Sequence, residues 1–299
     1  MKPFTILLFL MFLWTSLMGQ QMEAEKLEAE YYGVYLGLEY PDSIPLVFAP
    51  DLISGKGRMH SFVSFSPDLK TMYWSSIPPK IMMMQMVDNK WNTIETAPFS
   101  NTNNNQAPFV AADHKIYFTS SRNGGFGHLD LWYTINEEGC FIEPINVGET
   151  INSKQLETHP TVSNNHHIYY TGSIDGKLYH RGIYCSTFEN GAYTKAILLP
   201  YPINIMDSTT LDYTPFIAAD ESYLLFCSNR QNPEIELCHI YISYKNEEGE
   251  WGQPIDLSEK MGFTESSKFP YVTPDKRFLL FSSGENIYWV DAKTLLLDK

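Results

Sequence analysis

Three carboxylates, Glu157, Asp212 and Glu265, stand shortly before short apolar runs in a chain of 299 residues. His60, Asn105, Gln106 and His159 occupy the same stretch of related segments. If the architecture gathers these positions at one channel mouth, the carboxylates can bind a cation or a polyhydroxylated ligand. They could equally supply an acid and a base for glycosidic cleavage. The plainer alternative is that they cap loops and bond exposed backbone amides. Arg122 and Arg230 end two further apolar runs at matching positions. A guanidinium there can fork to a carboxylate, with Asp130 in reach, or to loop carbonyls. That describes either a clamp on a hairpin or a ligand contact.

Other chemistry is hard to find. The eight histidines show no ligand spacing. His166 and His167 are adjacent at the start of a strand, where neighbouring side chains point to opposite faces. There is no G-x-S-x-G elbow, helical H-E-x-x-H, phosphate loop or Cys-x-x-Cys. Gly124-Gly125-Phe126-Gly127 reads as a hairpin, because no helix follows it. The methionines Met82 to Met84 and Met86 read as strand filler. No catalytic residue, metal ligand or cofactor is assigned.

These residues must be positioned by strands. Hydrophobic residues make up 43% of the chain and charged residues 19%, which allows a large buried core. Aromatics at 14% favour strands over helices. Five segments read alike. Phe65-Ser66-Pro67-Asp68 leads into Tyr73-Trp74-Ser75-Ser76, and Phe109-Val110-Ala111-Ala112-Asp113 into Tyr117-Phe118-Thr119-Ser120. The pattern returns around Asn165, Asp220 and Asp275. Successive turn residues are 45, 52, 55 and 55 apart, a period that matches a four-stranded blade. In each unit a short strand enters an Asp/Asn turn, then an apolar run, a polar hairpin and a third strand with a paired aromatic. Leu131-Trp132, Ile183-Tyr184, Ile240-Tyr241 and Ile287-Tyr288 are those pairs. A glycine turn with an aromatic two residues on, as in Gly139-Cys140-Phe141, opens the expected fourth strand.

The last unit lacks a fourth strand, and Ile44-Pro45-Leu46-Val47-Phe48 is an unpaired one ahead of the first unit. Pairing the two removes an exposed edge. The expectation is an all-β, five-bladed β-propeller over residues 44–299, closed by that N-terminal strand. A six-bladed ring is the alternative.

Lys2 precedes an uncharged stretch from Pro3 to Gln21 whose apolar centre fits a secretory signal peptide, residues 1–19. Residues 20–43 are expected to be a linker. The chain is therefore expected to be exported, to the periplasm or the cell surface, with no membrane span after signal removal. Its net charge of −14 argues against nucleic acid and anionic lipid as partners. Cys140, Cys185, Cys227 and Cys238 form an even set. Cys227 and Cys238 flank a turn near Asn232-Pro233, so a disulfide between them and a set of buried thiols are both open.

Phe65-Ser66-Pro67-Asp68 with Tyr73-Trp74-Ser75-Ser76 resembles the WD40-like β-propeller repeat family (PD40), the type found in TolB propellers. So does Tyr117-Phe118-Thr119-Ser120-Ser121-Arg122-Asn123-Gly124-Gly125-Phe126-Gly127 before Asp130-Leu131-Trp132. The segment from Asn146 to Pro160 resembles repeats common in exported proteins of the Bacteroidetes type. The resemblance implies the propeller and leaves function open. The expected function is a non-enzymatic binding or scaffold protein that recognises a protein or glycan partner in the cell envelope, at the channel mouth or loop rim. The alternative is a glycan-active hydrolase with carboxylates in the channel.

Overall fold

The computed structural model describes residues 30–50, 52–54, 63–100, 104–137, 139–207, 209–231 and 237–296. The expected signal peptide, residues 20–29 of the expected linker, His60 and the Asn232-Pro233 turn lie outside the described residues.

Five antiparallel sheets form a five-bladed β-propeller. Blade 1 contains Val63–Phe65, Thr71–Ser75, Ile81–Val87 and Glu95–Thr96. Blade 2 contains Asn105–Val110, Lys115–Ser120, Asp130–Glu137 and Ile145–Asn146. Blade 3 contains Glu157–Val162, Ile168–Ile174, Lys177–Ser186 and Ile197–Leu198. Blade 4 contains Asp212–Ile217, Tyr223–Ser228, His239–Tyr244 and Ile255–Asp256. Blade 5 contains Lys268–Val272, Phe278–Ser283 and Asn286–Asp291, and its fourth strand is Leu46–Val47. Leu46 pairs with Trp289 and Val47 with Tyr288, antiparallel. The ring is closed as the strand inventory requires, and six blades are excluded.

Each turn acid works as its side-chain chemistry dictates. Asp68, Asp113, Asp220 and Asp275 each accept the N–H two residues on, an Asx turn. The residue after each turn position, Leu69, His114, His166, Glu221 or Lys276, is left-handed. The glycine–aromatic segments differ from expectation. Lys90–Trp91 and Cys140–Phe141 extend the third-strand hairpins, and the short strands after them complete the sheets. A tight left-handed turn, Asp88-Asn89 in blade 1 and Gly139 in blade 2, returns the chain at once onto the strand it has just left, so the outer edge is taken only after the following loop.

The segment expected as a linker is packed from Glu30 onward. Tyr35 and Leu36 are buried, and the Tyr35 ring meets Phe65, Phe278 and Trp289 at 5.4, 5.1 and 6.0 Å. It thus wedges the seam between blades 1 and 5. Trp91 Nε1 donates to Gly33 O at 2.7 Å and holds the segment down.

One device recurs in all five blades. Each connection between blades presents a short polar side chain to the N–H of a third-strand residue. Ser100 takes Ile81, Asn152 takes Leu131, Asn204 takes Ile183, Ser258 takes Ile240, and Ser54 takes Ile287, at 2.8–3.0 Å. Ser54 places the chain after the closing strand in the same role as the internal connections. Buried backbone donors require such partners.

Cys227 and Cys238 are buried free thiols, so the disulfide is not formed. The ladder pairs Cys227 with Ile240, which leaves Cys238 two residues further along. Both sulfurs are also engaged. Thr214 Oγ1 donates to Cys227 Sγ at 2.8 Å, the Phe269 N–H also reaches it, and Tyr213 OH donates to Cys238 Sγ at 3.0 Å. Burial pushes the Cys227 thiol up to about 12, far from the thiolate that oxidation requires.

Candidate binding site

Counting back from each turn residue sorts the first strands into layers. Four residues back stand Ser64, Phe109, Thr161, Phe216 and Tyr271. Phe109, Phe216 and Tyr271 come from blades 2, 4 and 5, yet their ring centroids lie 5.5–6.4 Å apart. Rings from non-adjacent blades can meet only across the propeller axis. At this level the axis is therefore filled by aromatic side chains. The hydroxyls of the other two residues face their neighbours. Ser64 Oγ accepts Val110 N and Thr161 Oγ1 accepts Ile217 N, while Tyr271 OH accepts Phe65 N.

Six residues back stand Ala107, His159, Thr214 and Phe269. All four are left-handed, each just before a proline and at a register shift in its strand. Three of their N–H groups bond the preceding blade: Ala107 to Ser75 Oγ, His159 to Thr119 Oγ1 and Thr214 to Thr171 Oγ1. The fourth is the Phe269 bond to Cys227 described above. Cys227 therefore fills a place that serine or threonine holds in the other blades. His159 stacks on Phe269 across the axis, with centroids 5.2 Å apart. Burial, with Arg181 adding to it, pushes the His159 imidazole from 6.5 down to about 3.

That depression has a consequence for acid stability. The unfolded chain binds a proton at His159 below about 6.5, whereas the folded chain resists it until about 3. Stability is then lost as the pH falls through this window, at about 1.4 kcal/mol per pH unit for one proton. His159→Asn keeps a residue tolerant of the left-handed backbone and removes the titration. Urea unfolding from pH 7 to 4 should show wild type losing about that much more per unit than the variant. Parallel curves would refute a buried neutral His159.

Eight residues back stand Asn105, Glu157, Asp212 and Ser267. Ser267, rather than Glu265, is the counterpart in blade 5. Its Oγ meets Ser258 Oγ at 2.6 Å, while Glu265 accepts from Ser283 Oγ at 3.2 Å. Gln106 pairs with Thr119 in the blade 2 ladder. Glu157, Asp212 and Glu265 are each bonded within their own blade or its entering connection. Asp212 takes Ile205 N and Arg230 at 2.7 Å each. Glu157 takes Ser153 N at 3.0 Å and Ser153 Oγ at 2.6 Å. Burial raises the Glu157 carboxyl above its ordinary range, against the pull of the Ser153 bonds.

Arg122 and Arg230 do the same work in blades 2 and 4. Each Nε donates to the nearby serine, Ser120 or Ser228, at 3.1 Å. Each Nη2 donates to the residue eight back from the turn acid, Asn105 at 2.9 Å or Asp212 at 2.7 Å. Each Nη2 also reaches a carbonyl of the entering connection, Phe99 O at 2.8 Å or Ile203 O at 2.6 Å. Asp130, the partner in reach by sequence, instead accepts Phe126 N and Gly127 N and shapes its own hairpin. Gly125 must be glycine there, since a Cβ would lie 2.2 Å from Asp130 Oδ2.

Each guanidinium also lies over an aromatic pair that spans the second and third strands. Arg122 lies 4.9 and 5.3 Å from Phe118 and Trp132, and Arg230 4.9 and 5.0 Å from Phe226 and Tyr241. In blade 5 the corresponding pair is Phe281 and Tyr288, and Phe263 packs on both at 4.9 and 5.1 Å. In blade 3 the pair is Tyr170 and Tyr184, stacked at 5.6 Å. Beside it opens a cavity of about 400 Å³ lined also by Glu157, Ser153, Ile151 and Gly172. Gly172 stands where Ser120 and Ser228 stand, and a Cβ there would lie 2.8 Å from the Tyr184 ring. Lys195 and Glu149 are exposed at the mouth. Sequence reasoning singled out Glu157 but missed this pocket. The signal was the recurring aromatic pair together with an arginine present after the second strands of blades 2 and 4 and absent from blade 3.

Among the described residues, no group of three His, Cys, Asp or Glu is arranged to hold a metal, and no helix is long and apolar enough to cross a membrane. No family model and no curated protein matches the chain. Solved structures do resemble it in shape. One is a thermostable family-43 glycoside hydrolase, with a TM-score of 0.55 at 15% identity over 84% of this chain and 91% of that one. Another is a GH43_12 protein retrieved from capybara gut metagenome, 0.53 at 11% over 89% and 59%. A TolB candidate from Agrobacterium tumefaciens scores 0.47 at 16% over 76% and 71%. At such identities the likeness to the two family-43 proteins speaks for the fold alone. The propeller implied by the repeat resemblance is the fold found.

Proposed function

We propose that the chain is an exported, non-enzymatic binding protein that holds a protein partner at its rim, with the blade 3 pocket as the contact point. The observation that supports this most is the half-buried Tyr184 ring, stacked on Tyr170 beside the buried Glu157 carboxylate, with a cavity where Arg122, Arg230 and Phe263 pack on the matching pairs of blades 2, 4 and 5. Rigid sheets with a pocket at their connections suit recognition. The filled axis weighs against the hydrolase alternative. That reading needs two carboxyl groups facing one open site, and Glu157, Asp212 and Glu265 are each engaged with separate partners. The apolar N-terminal stretch supports export.

Capture from a native envelope fraction tests the binding reading, with wild type compared against Tyr184→Leu. A partner held by wild type and lost by the folded variant supports it. Equal capture by both overturns the pocket as the contact. Sugar release from arabino- or xylo-oligosaccharides would instead favour the hydrolase. Fractionation of the full-length chain tests export, and retention in the cytoplasm would refute it.

A further inference from the structure

We propose that the blade 3 pocket receives the side chain of an arginine presented by a protein partner, supplying in trans the guanidinium that blades 2 and 4 carry in their own chain. This deepens the binding reading above and rests on it.

The argument is internal to the molecule. Blades 2 and 4 each show what the common framework does with a guanidinium. It lies over an aromatic pair in register across the second and third strands. It donates to the side chain eight residues before the turn acid and to a carbonyl of the entering connection. Blade 3 retains these acceptors, though not the serine that takes Nε in blades 2 and 4, which is Gly172 here. Tyr170 and Tyr184 are in the same register. Glu157 is in the same place as Asn105 and Asp212, and Ile151 O corresponds to Phe99 O and Ile203 O. The arginine and the serine that takes its Nε are missing, and the space beside the pair is the cavity described above.

The chemistry of the acceptors selects the guest. Glu157 is 4% exposed, and the two Ser153 bonds leave further lone pairs on its carboxylate. A buried carboxylate calls for a cation, and a planar cation that stacks on tyrosine while forking to an oxygen is a guanidinium. An ammonium would satisfy the charge without the stacking. The tyrosine hydroxyls are anchored, Tyr170 OH to Ile151 O at 3.2 Å and Tyr184 OH to Ser173 O at 3.1 Å, so the stack is fixed before the guest arrives. A Cβ at Gly172 would lie 2.8 Å from the Tyr184 ring, so the glycine lets that ring lie close over the second strand. The net charge of −14 favours a basic partner at long range.

The test titrates the full-length mature chain with N-acetyl-arginine methylamide, followed by NMR. The citrulline and lysine analogues serve as controls. A saturable change centred on Tyr170 and Tyr184, with a Kd on the order of 1 mM for so small a probe, is the expected result. Citrulline should bind at least about tenfold more weakly, because it keeps the shape and loses the charge, and lysine should fall between. Glu157→Gln should abolish the preference for arginine over citrulline. The wild-type comparison stands even if that variant does not fold. No saturable arginine signal, or equal binding of arginine and citrulline, overturns the inference. If the Tyr184→Leu variant still loses the captured partner in that case, the pocket remains the contact and only its guest was misassigned. If capture is also unaffected, the binding reading fails with it.

Discussion

A chain beginning after Ser54 is expected not to form a stable ring. The removed segment carries Tyr35, Leu36, Phe48 and Ile53, all buried. At roughly 1.5–3 kcal/mol for each such side chain, the loss is about 6–12 kcal/mol. That is comparable with the entire stability of a typical domain, about 5–15 kcal/mol. The ladder between Leu46–Val47 and the third strand of blade 5 is lost with it, as is the Ser54 bond to Ile287 N. Trp289 would then face water at an open edge, although it is buried in the closed ring. Near-ultraviolet circular dichroism and urea unfolding of the shortened chain provide the check. A cooperative transition with an unchanged midpoint would falsify closure as the main stabilising device.

The second large effect lies at Arg230. Arg230→Met is expected to destabilise the protein by about 3–5 kcal/mol, because it leaves Asp212 as a buried, uncompensated charge. Asp212 is 1% exposed. Burial already raises its carboxyl pKa despite the pull of Arg230. Without the guanidinium the folded chain holds the Asp212 proton still more tightly than the unfolded chain does. The deficit of the variant should therefore shrink as the pH falls from 7 towards 4. Asp212→Asn is expected to cost less, about 1–2 kcal/mol. Arg230 would keep its bonds to Pro202 O and Ile203 O, and blade 2 uses the same pairing with Asn105 and Arg122. Urea unfolding of both variants at two pH values decides the order. Equal costs would show that Asp212 carries no charge in the folded protein.

The ring itself was legible because its signals are local. A turn acid followed by an apolar run marks each blade, and a missing strand at one end with a spare at the other marks the seam. The internal fittings were not legible in the same way. Ser54, Ser100, Asn152, Asn204 and Ser258 sit in dissimilar loops, and each finds its donor on a strand well removed in sequence. Phe109, Phe216 and Tyr271 look like ordinary strand residues until three separate blades bring them together. Glu265 was two residues from the position it was matched to, because spacing from the turn acid, not residue type, defines equivalence. Glu157 was recognisable as a carboxylate of interest. Its setting emerges only when blade 3 is laid over blades 2 and 4.

The axial layer has a parity problem. Hydroxyl-bearing residues stand in blades 1, 3 and 5, and phenylalanines in blades 2 and 4. An odd ring cannot alternate all the way round, so two like members must meet somewhere. They meet where the two ends of the chain are joined, and the residue there is Tyr271. Its flat ring completes the trio with Phe109 and Phe216, and its phenol serves the backbone of blade 1. Phenylalanine would leave that backbone unserved and serine would leave the trio short, so an odd count of blades makes tyrosine the one hydroxyl-bearing aromatic able to fill both offices.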